Sequence, residues 1–581
     1  MRRFTYALLA LLLCSAAARA QNVPVQEVVL DNGMHVLMVP RKGDPNIAAG
    51  WITRTGSVNE RPGITGLSHL FEHMMFKGTR TIGTKNIEEN LKVLKEMDDV
   101  RAQIRAEEKE LIRRQRLGEV TDIKDPKART PRHQQLIARF EELTKREKEL
   151  MVKDEFDRVY TTAGASGMNA GTSNDFTVYF INVPANKLEL WFWMESDRLQ
   201  NPVFREFYSE RDVVYEERRL RTDSTPTGKF DEQFDAMFWM SSPYGWPVVG
   251  WPSDLEGITR EEALDYFAVN YAPNNLTACL VGDFEPANAT ALAKKYFGRL
   301  ARGPREPEPV RTQEMQQLAE QRMVAYAETS PQVRVRFHSV ADGHPDDVVL
   351  GVLGSLLSGR TGRLYKSLVL QQEVANNASA GQNGNKYEGY FELRGTAKPG
   401  KSPEDVEQAL YKEIERIQKE PVPADELQKI KNQSAANQFR GLQSNFGLMV
   451  QLLLRDANRS WASINTDPAR VQAVTPEDIQ RVANKYFKPE NRTVGIYRTR
   501  SAAAGGAAED PALAGLSDAE KAQVQQVRAM LPQLKTAEQV RGVLQMVEQR
   551  AASAPPEKQK GIQLVKKMLE DRLKQLEGGV K

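Results

Sequence analysis

ITREEALDYFAVNYAPNNLTACLVG (258–282) and VTPEDIQRVANKYFKPENRTVGIYR (474–498) align without gaps at an offset of 216 residues. Thr259, Glu261, Pro273, Asn275 and Thr277 in the first meet Thr475, Glu477, Pro489, Asn491 and Thr493 in the second. In each copy a threonine stands at the N-cap of an amphipathic helix, with an acid in the first turn to complement the helix dipole. A Pro-x-Asn turn follows, and then a β-rich run, LTACLVG or RTVGIY. Two helix–turn–strand units in the same register predict a duplicated α/β domain, so the fold class is α+β with two related halves.

Outward from these units, each half shows the same style. The first opens with EVVLDNGMHVLMVP, a hairpin pattern whose two apolar runs join at Asp31-Asn32-Gly33, with Asn32-Gly33 as a two-residue turn signal. FTVYFINVP (176–184) reads as a strand, and helices follow at 186–200 and 203–221. The second half offers QVRVRFHSV and EGYFELRGTA as strands and helices at 403–419 and 424–455. The Pro- and charge-rich stretch 301–314 is the expected linker, which sets the domains at 21–300 and 315–500.

Two regions stand outside the duplication. Residues 85–157 carry 18 basic and 18 acidic side chains, arranged as helical stretches at 86–117 and 132–157 around a polar loop. That composition predicts a solvated helical hairpin inserted into the first domain. Residues 501–581 follow as a polar helical tail.

The N-terminus reads as an export signal in 1–20. Arg2 and Arg3 precede an apolar run, and Ala18-Arg19-Ala20 leads to expected cleavage at Ala20/Gln21. The run is shorter than the ~20 residues needed to cross a bilayer, so no stable membrane span is expected once it is removed. Removing it also takes away three arginines and brings the formal charge of +3 to zero, which leaves no basic footprint for nucleic acid. Cys279 is then the single cysteine, so both halves must be held by packed cores rather than by a disulfide.

The chemistry is concentrated in HLFEHMMFKGT (69–79). On a helix, His69 and His73 lie one turn apart on one face, a spacing at which both imidazoles can approach one Zn²⁺. Glu72 sits beside them as a candidate general base toward water activated by that metal. Chance assembly of such a motif in a chain with six histidines is roughly five in a thousand, which makes it informative and incomplete. Catalytic zinc wants a third protein ligand and an open position.

LSHLFEHMMFKGTRTIGTKN, SGMNAGTSNDFTVYFINVP and ERDVVYEERR together resemble the pitrilysin/insulinase family of zinc metallopeptidases, which carries an inverted HxxEH motif and includes mitochondrial processing peptidase. The resemblance runs to about residue 500 and implies two pitrilysin-type α/β domains. It also implies a third ligand from a later helix, seven residues after a supporting acid. ERDVVYEE supplies that pair as Glu210 and Glu217, which share a helix face with Glu206, whereas Glu216 points away. The resemblance therefore implies one zinc per chain held by His69, His73 and Glu217, with Glu72 and Glu210 as the acids of catalysis. Asn169 and Ala170 would line an edge strand that holds extended substrate. From His73 to Glu217 the chain runs 144 residues, nearly double the family's spacing, and the charged stretch 85–157 accounts for most of the excess.

One part of the family's site is missing. Aligned on Arg363-Leu364-Tyr365, the positions where active members carry a substrate-contacting Arg and Tyr hold Val369 and Asn376. The resemblance then implies the metal-bearing subunit of a heterodimer, paired with a homologous chain that supplies Arg and Tyr, acting on peptides or unfolded segments in the periplasm. A noncatalytic peptide-binding or scaffold subunit of the same fold is the alternative.

Overall fold

The repeated threonines and asparagines do the same physical work in both copies. In the computed structural model, Thr259 Oγ1 accepts from Glu262 N at 3.3 Å and Thr475 Oγ1 from Asp478 N at 3.1 Å, each closing a capping box. At the other end, Asn275 Nδ2 donates to Asn270 O and Asn491 Nδ2 to Tyr486 O, both at 2.8 Å. A helix end leaves its last carbonyls without partners, and the asparagine amide satisfies one while turning the chain into its strand. The structure describes residues 22–500 and parts of 516–578. The expected signal in 1–20 and its cleavage point lie outside the described residues.

The strands of the first sheet are β1 (Gln26–Val29), β2 (His35–Pro40), β3 (Asn46–Thr53), β4 (Ser166–Thr172), β5 (Thr177–Pro184) and β6 (Leu276–Gly282), in the order β1-β2-β6-β3-β5-β4. The second sheet contains β7 (Gln321–Ala327), β8 (Gln332–Ser339), β9 (Ala375–Gly384), β10 (Gly389–Ala397) and β11 (Arg492–Thr499), in the order β7-β11-β8-β10-β9. Setting aside β1, the orders correspond strand for strand. The parallel pair β2/β6 matches β7/β11, and β4 and β9 form equivalent edges. The two duplicated α/β domains expected from the repeat are present.

The halves exchange helices across their sheets. Asn445–Asn458, from the second half, lays Met449, Leu452 and Leu453 on the first sheet, where Gly50 leaves room. A Cβ on Gly50 would stand 3.0 Å from Met449 Sδ. Gly228–Phe238, from the first half, places Phe234 over Gly495 of β11, and its Asp231 and Asp235 pair with Arg334 and Arg336 of β8. Each sheet thus gains an apolar cover from the other half, and the two cores form a single unit ending at Thr499.

The α-helices between β3 and Arg218 are α1 (Leu67–Met74), α2 (Ile87–Arg116), α3 (Pro131–Leu150), α4 (Glu155–Thr162), α5 (Leu188–Gln200) and α6 (Phe207–Arg218), of which α1 and α6 carry the site. The inserted hairpin is α2 and α3. Its second helix stops at Leu150 rather than 157 because Thr84 and Met151 pair as a β-bridge, with Val152 N donating to Gly83 O at 3.1 Å. The helix expected over 424–455 is two helices, broken at Ser444, whose hydroxyl caps the second by accepting from Gly447 N at 2.9 Å. The turn at Asp31–Gly33 has three residues, with Gly33 at φ +91°. Within this turn the Asn32 side chain is buried and donates to the carbonyls of Phe297 and Leu300.

Arg500–Lys581 form a separate unit. There, Ala537–Ala552 and Gln559–Gly578 are helices, and Val540, Val565 and Leu569 are buried in its own small core. Among the described residues no helix is long and apolar enough to cross a membrane.

Candidate metal centre

Helix α1 is anchored by its apolar side and by its start. Leu67, Leu70, Phe71 and Met74 are buried in the first core. Gly66, at φ +89°, opens the helix where any Cβ would meet Val249 O at 2.5 Å. The buried Glu60 accepts from Gly66 N at 2.7 Å and Ser68 N at 2.6 Å, placing a carboxyl group at the positive end of the dipole. With that face fixed, His69 and His73 point toward α6. The two imidazole rings lie 5.1 Å apart and nearly perpendicular.

Helix α6 supplies the carboxylates. Glu217 Oε2 stands 3.7 Å from His69 Nε2 and 3.3 Å from His73 Nε2, and the donor atoms of these three residues lie within 4.8 Å of one another. Tetrahedral arms of about 2.0–2.1 Å set neighbouring donors roughly 3.3–3.4 Å apart. The two imidazoles and the carboxylate therefore fit Zn²⁺ in donor type, spacing and number. Glu217 Oε1 is held by Arg221 at 2.6 Å.

The neighbouring acids separate by role. Glu216 pairs with Arg219 at 2.9 Å and has its side chain more than half exposed, outside the cluster. Glu210 Oε2 approaches His73 Nδ1 at 3.4 Å, while its Oε1 accepts from Lys77 Nζ at 2.5 Å. Lys77 also reaches Glu206 at 3.1 Å. His73 is thus bracketed, with Glu210 on one nitrogen and Glu217 on the other, so Glu210 sits where it can orient the ring. Burial alone would lower the His73 pKa, but Glu210 and Glu217 outweigh it and raise it. His69, with burial dominant, moves down. For Glu210 burial pushes upward, and His73 and Lys77 overcome it to hold the carboxyl below its usual value.

Glu72 is fixed from the sheet. Thr172 Oγ1, at the end of β4, donates to Glu72 Oε2 at 2.7 Å. β4 is the outer strand of its sheet, so one side of its backbone has no strand partner among the described residues. Asn169 is exposed on it and Ala170 half-buried, and Asn169 Oδ1 accepts from Ala170 N at 2.8 Å. In the second half, Val369 packs against the core and Asn376 Nδ2 donates to Ala397 O at 3.3 Å. Neither offers a cation or a phenol. Thr172 and Lys77 were not singled out from the sequence. Lys77 lies three residues past the end of α1, and nothing local marks it as the partner of Glu210 or Thr172 as that of Glu72.

The family model described as Insulinase (Peptidase family M16) matches residues 36–101, and the one described as Peptidase M16 inactive domain matches residues 257–434. A relative named zinc protease PqqE, from Helicobacter pylori, is 25% identical over 495 residues, covering 83% of this chain and 95% of that protein. The crystal structure of a protease from Helicobacter pylori superposes with a TM-score of 0.67 at 22% identity, covering 82% of this chain and 100% of that one. The periplasmic protease PqqL from Escherichia coli superposes with a TM-score of 0.60 at 16% identity, covering 85% of this chain and 50% of that one. These structures share the fold described above.

Proposed function

We propose that this chain, which belongs to the insulinase family of peptidases, family M16, is a zinc-dependent endopeptidase acting on peptides or unfolded segments. One observation carries the reading: His69, His73 and Glu217 converge from two helices although 144 residues separate His73 from Glu217. These three residues would hold the zinc. When bound, zinc supplies a Lewis acid for the scissile carbonyl and lowers the pKa of water at its open position.

The rest falls to the chain's own groups. Thr172 holds Glu72 by Oε2, which leaves Oε1 to take a proton from the attacking water and return it to the leaving amine. The outer edge of β4 at Asn169 and Ala170 pairs with an extended backbone once Asn169 Oδ1 releases Ala170 N, giving affinity that depends little on side chains. Glu210 steadies His73 through Nδ1.

The absence of an Arg or Tyr at Val369 and Asn376 supports pairing with a homologous chain that carries both. The half-length match to the single chain of PqqL supports the same arrangement, two such units enclosing one chamber. The signal expected in 1–20 and the likeness to a protease described as periplasmic support export to the periplasm. A second reading, a noncatalytic peptide-binding subunit, draws on the match of 257–434 to a domain described as inactive.

The experiment measures metal content and turnover of an unfolded peptide for the mature chain and for Glu72→Gln, alone and with the homologous chain. The peptidase reading expects zinc retained in the variant and turnover lowered about 10²- to 10⁴-fold. Unchanged turnover in Glu72→Gln sinks it, and full activity of the chain alone sinks the pairing.

A further inference from the structure

Among the 18 acidic and 18 basic side chains of residues 85–157, Glu147 alone is buried, at 1% exposure. A carboxylate is costly to bury and is retained where it is paired or hydrogen-bonded. The partner of Glu147 is not another charge of the hairpin. Its Oε1 accepts from the backbone N–H of Glu206 at 2.8 Å.

Glu206 is the residue from which α6 starts. Its backbone lies in the left-handed region, at φ 55°, which a side chain other than glycine's adopts only when its surroundings enforce it. Its carbonyl accepts from Glu210 N at 2.7 Å, so its setting fixes the first turn of the helix that carries Glu210 and Glu217. Its side chain meets Lys77, which in turn meets Glu210, and Glu210 approaches His73 Nδ1.

The preceding residue is tied to the hairpin as well. Arg205 is fully buried, and its Nε donates to Asn90 Oδ1 of α2 at 2.7 Å. Its remaining donors hold the carbonyls of Lys77, Thr79 and Ile82, the loop that leaves the metal helix. Burial lowers its pKa to about 10. Further along α6, Tyr208 packs edge-on against Phe140 of α3 and donates to Asp98 of α2 at 3.2 Å. Both inserted helices therefore grip the start of α6, at the end bearing Glu210.

We infer that Glu147 is a positioning residue for the metal site, and that the inserted hairpin serves through it as part of the catalytic scaffold. It sets Glu206 in the left-handed conformation and so aims α6, and with it Glu210 and Glu217, at the two histidines. The inference rests on the zinc reading above and goes beyond it by giving the insertion a task in that site.

The test compares Glu147→Ala, Glu147→Gln and Thr130→Ala in the full mature chain. Thr130 caps α3 at the far end of the hairpin, accepting from His133 N at 3.0 Å, so its loss weakens the hairpin away from the site. Zinc affinity is read by competition with a chromogenic chelator, and site geometry by the visible absorption of the cobalt-substituted protein. Outer partners of metal ligands are worth about 10–100-fold in affinity, and Glu147 stands further out, so Glu147→Ala should weaken zinc roughly 5- to 20-fold and shift the cobalt bands. Its kcat should fall with KM within about twofold. Glu147→Gln, whose amide oxygen still accepts from Glu206, should recover most of the loss. Thr130→Ala should lower thermal stability and leave metal affinity unchanged. Wild-type affinity in a folded Glu147→Ala, or an equal loss in Thr130→Ala, overturns this inference alone. A wild-type chain that takes up neither ion sinks the zinc reading and this inference with it.

Discussion

Replacing Glu210 by glutamine tests whether the acid beside His73 acts by charge. The carboxylate lies 3.4 Å from His73 Nδ1 and 2.5 Å from Lys77 Nζ, on the side of the ring away from Glu217. A hydrogen bond to a charged group contributes about 1.5–3 kcal/mol, against about 0.5–1.5 kcal/mol for a neutral one. The amide keeps an oxygen on His73 and loses the charge, a difference of about 1–1.5 kcal/mol, or roughly tenfold in zinc affinity. Glu210→Leu removes the acceptor as well and should cost about 10–100-fold, the range seen for partners of metal-bound histidines. Glu206→Gln, whose side chain touches Lys77 but not the ring, should cost less than about threefold. Chelator competition on each purified chain, with circular dichroism to establish the fold, gives the three affinities. If folded Glu210→Gln holds zinc within twofold of wild type while Glu206→Gln matches or exceeds its loss, the orienting role assigned to Glu210 is wrong.

Other perturbations probe the frame around the site. Glu195 and Arg198 form a buried pair, with Glu195 also accepting from Trp51 Nε1 at 2.6 Å and Tyr160 OH at 2.5 Å. Glu195→Gln strands a buried guanidinium and should cost about 3–5 kcal/mol in urea unfolding, whereas Glu195→Leu with Arg198→Leu should lose less than the sum of the single changes. Asp346 is buried, which by itself would raise its pKa, but Lys485, Tyr486 and Arg481 hold it well below the carboxylate range. A depressed folded pKa stabilises above the unfolded value of about 3.9 and is lost as pH falls below it. Acid unfolding curves should therefore show a weaker pH dependence below about pH 4 in Asp346→Asn than in wild type. Gly495→Val would push a side chain into Phe234, whose ring stands 2.9 Å from an added Cβ, and overpacking of this type costs about 1–3 kcal/mol, read as a lower unfolding midpoint.

Much of the frame was legible because it depends on short-range rules. The threonine caps and Pro-x-Asn turns exposed the duplication, and the same residues make equivalent bonds in both copies. The histidine spacing put two imidazoles on one helix face, which required only helical geometry. Errors arose where distant backbone intervened. The second inserted helix ends early because Met151 pairs with Thr84, and the hairpin turn takes three residues, Asp31–Gly33, with the Asn32 side chain bound to the carbonyls of Phe297 and Leu300.

The sequence by itself determined the paired α/β halves, the charge-balanced hairpin and the helix bearing His69, Glu72 and His73, since periodicity, capping and turn chemistry act within a few residues. Tertiary structure decided which acids face those histidines. It set Glu217 across from both rings, Glu210 behind one of them and Glu216 out toward solvent. It also selected Glu147 from a run of charges that look alike in one dimension, because burial depends on which helix face meets α6. The physical reason is range. Helix and strand preferences are settled by near neighbours, while a metal centre is assembled from groups whose approach is fixed by the packing of elements far apart in the chain.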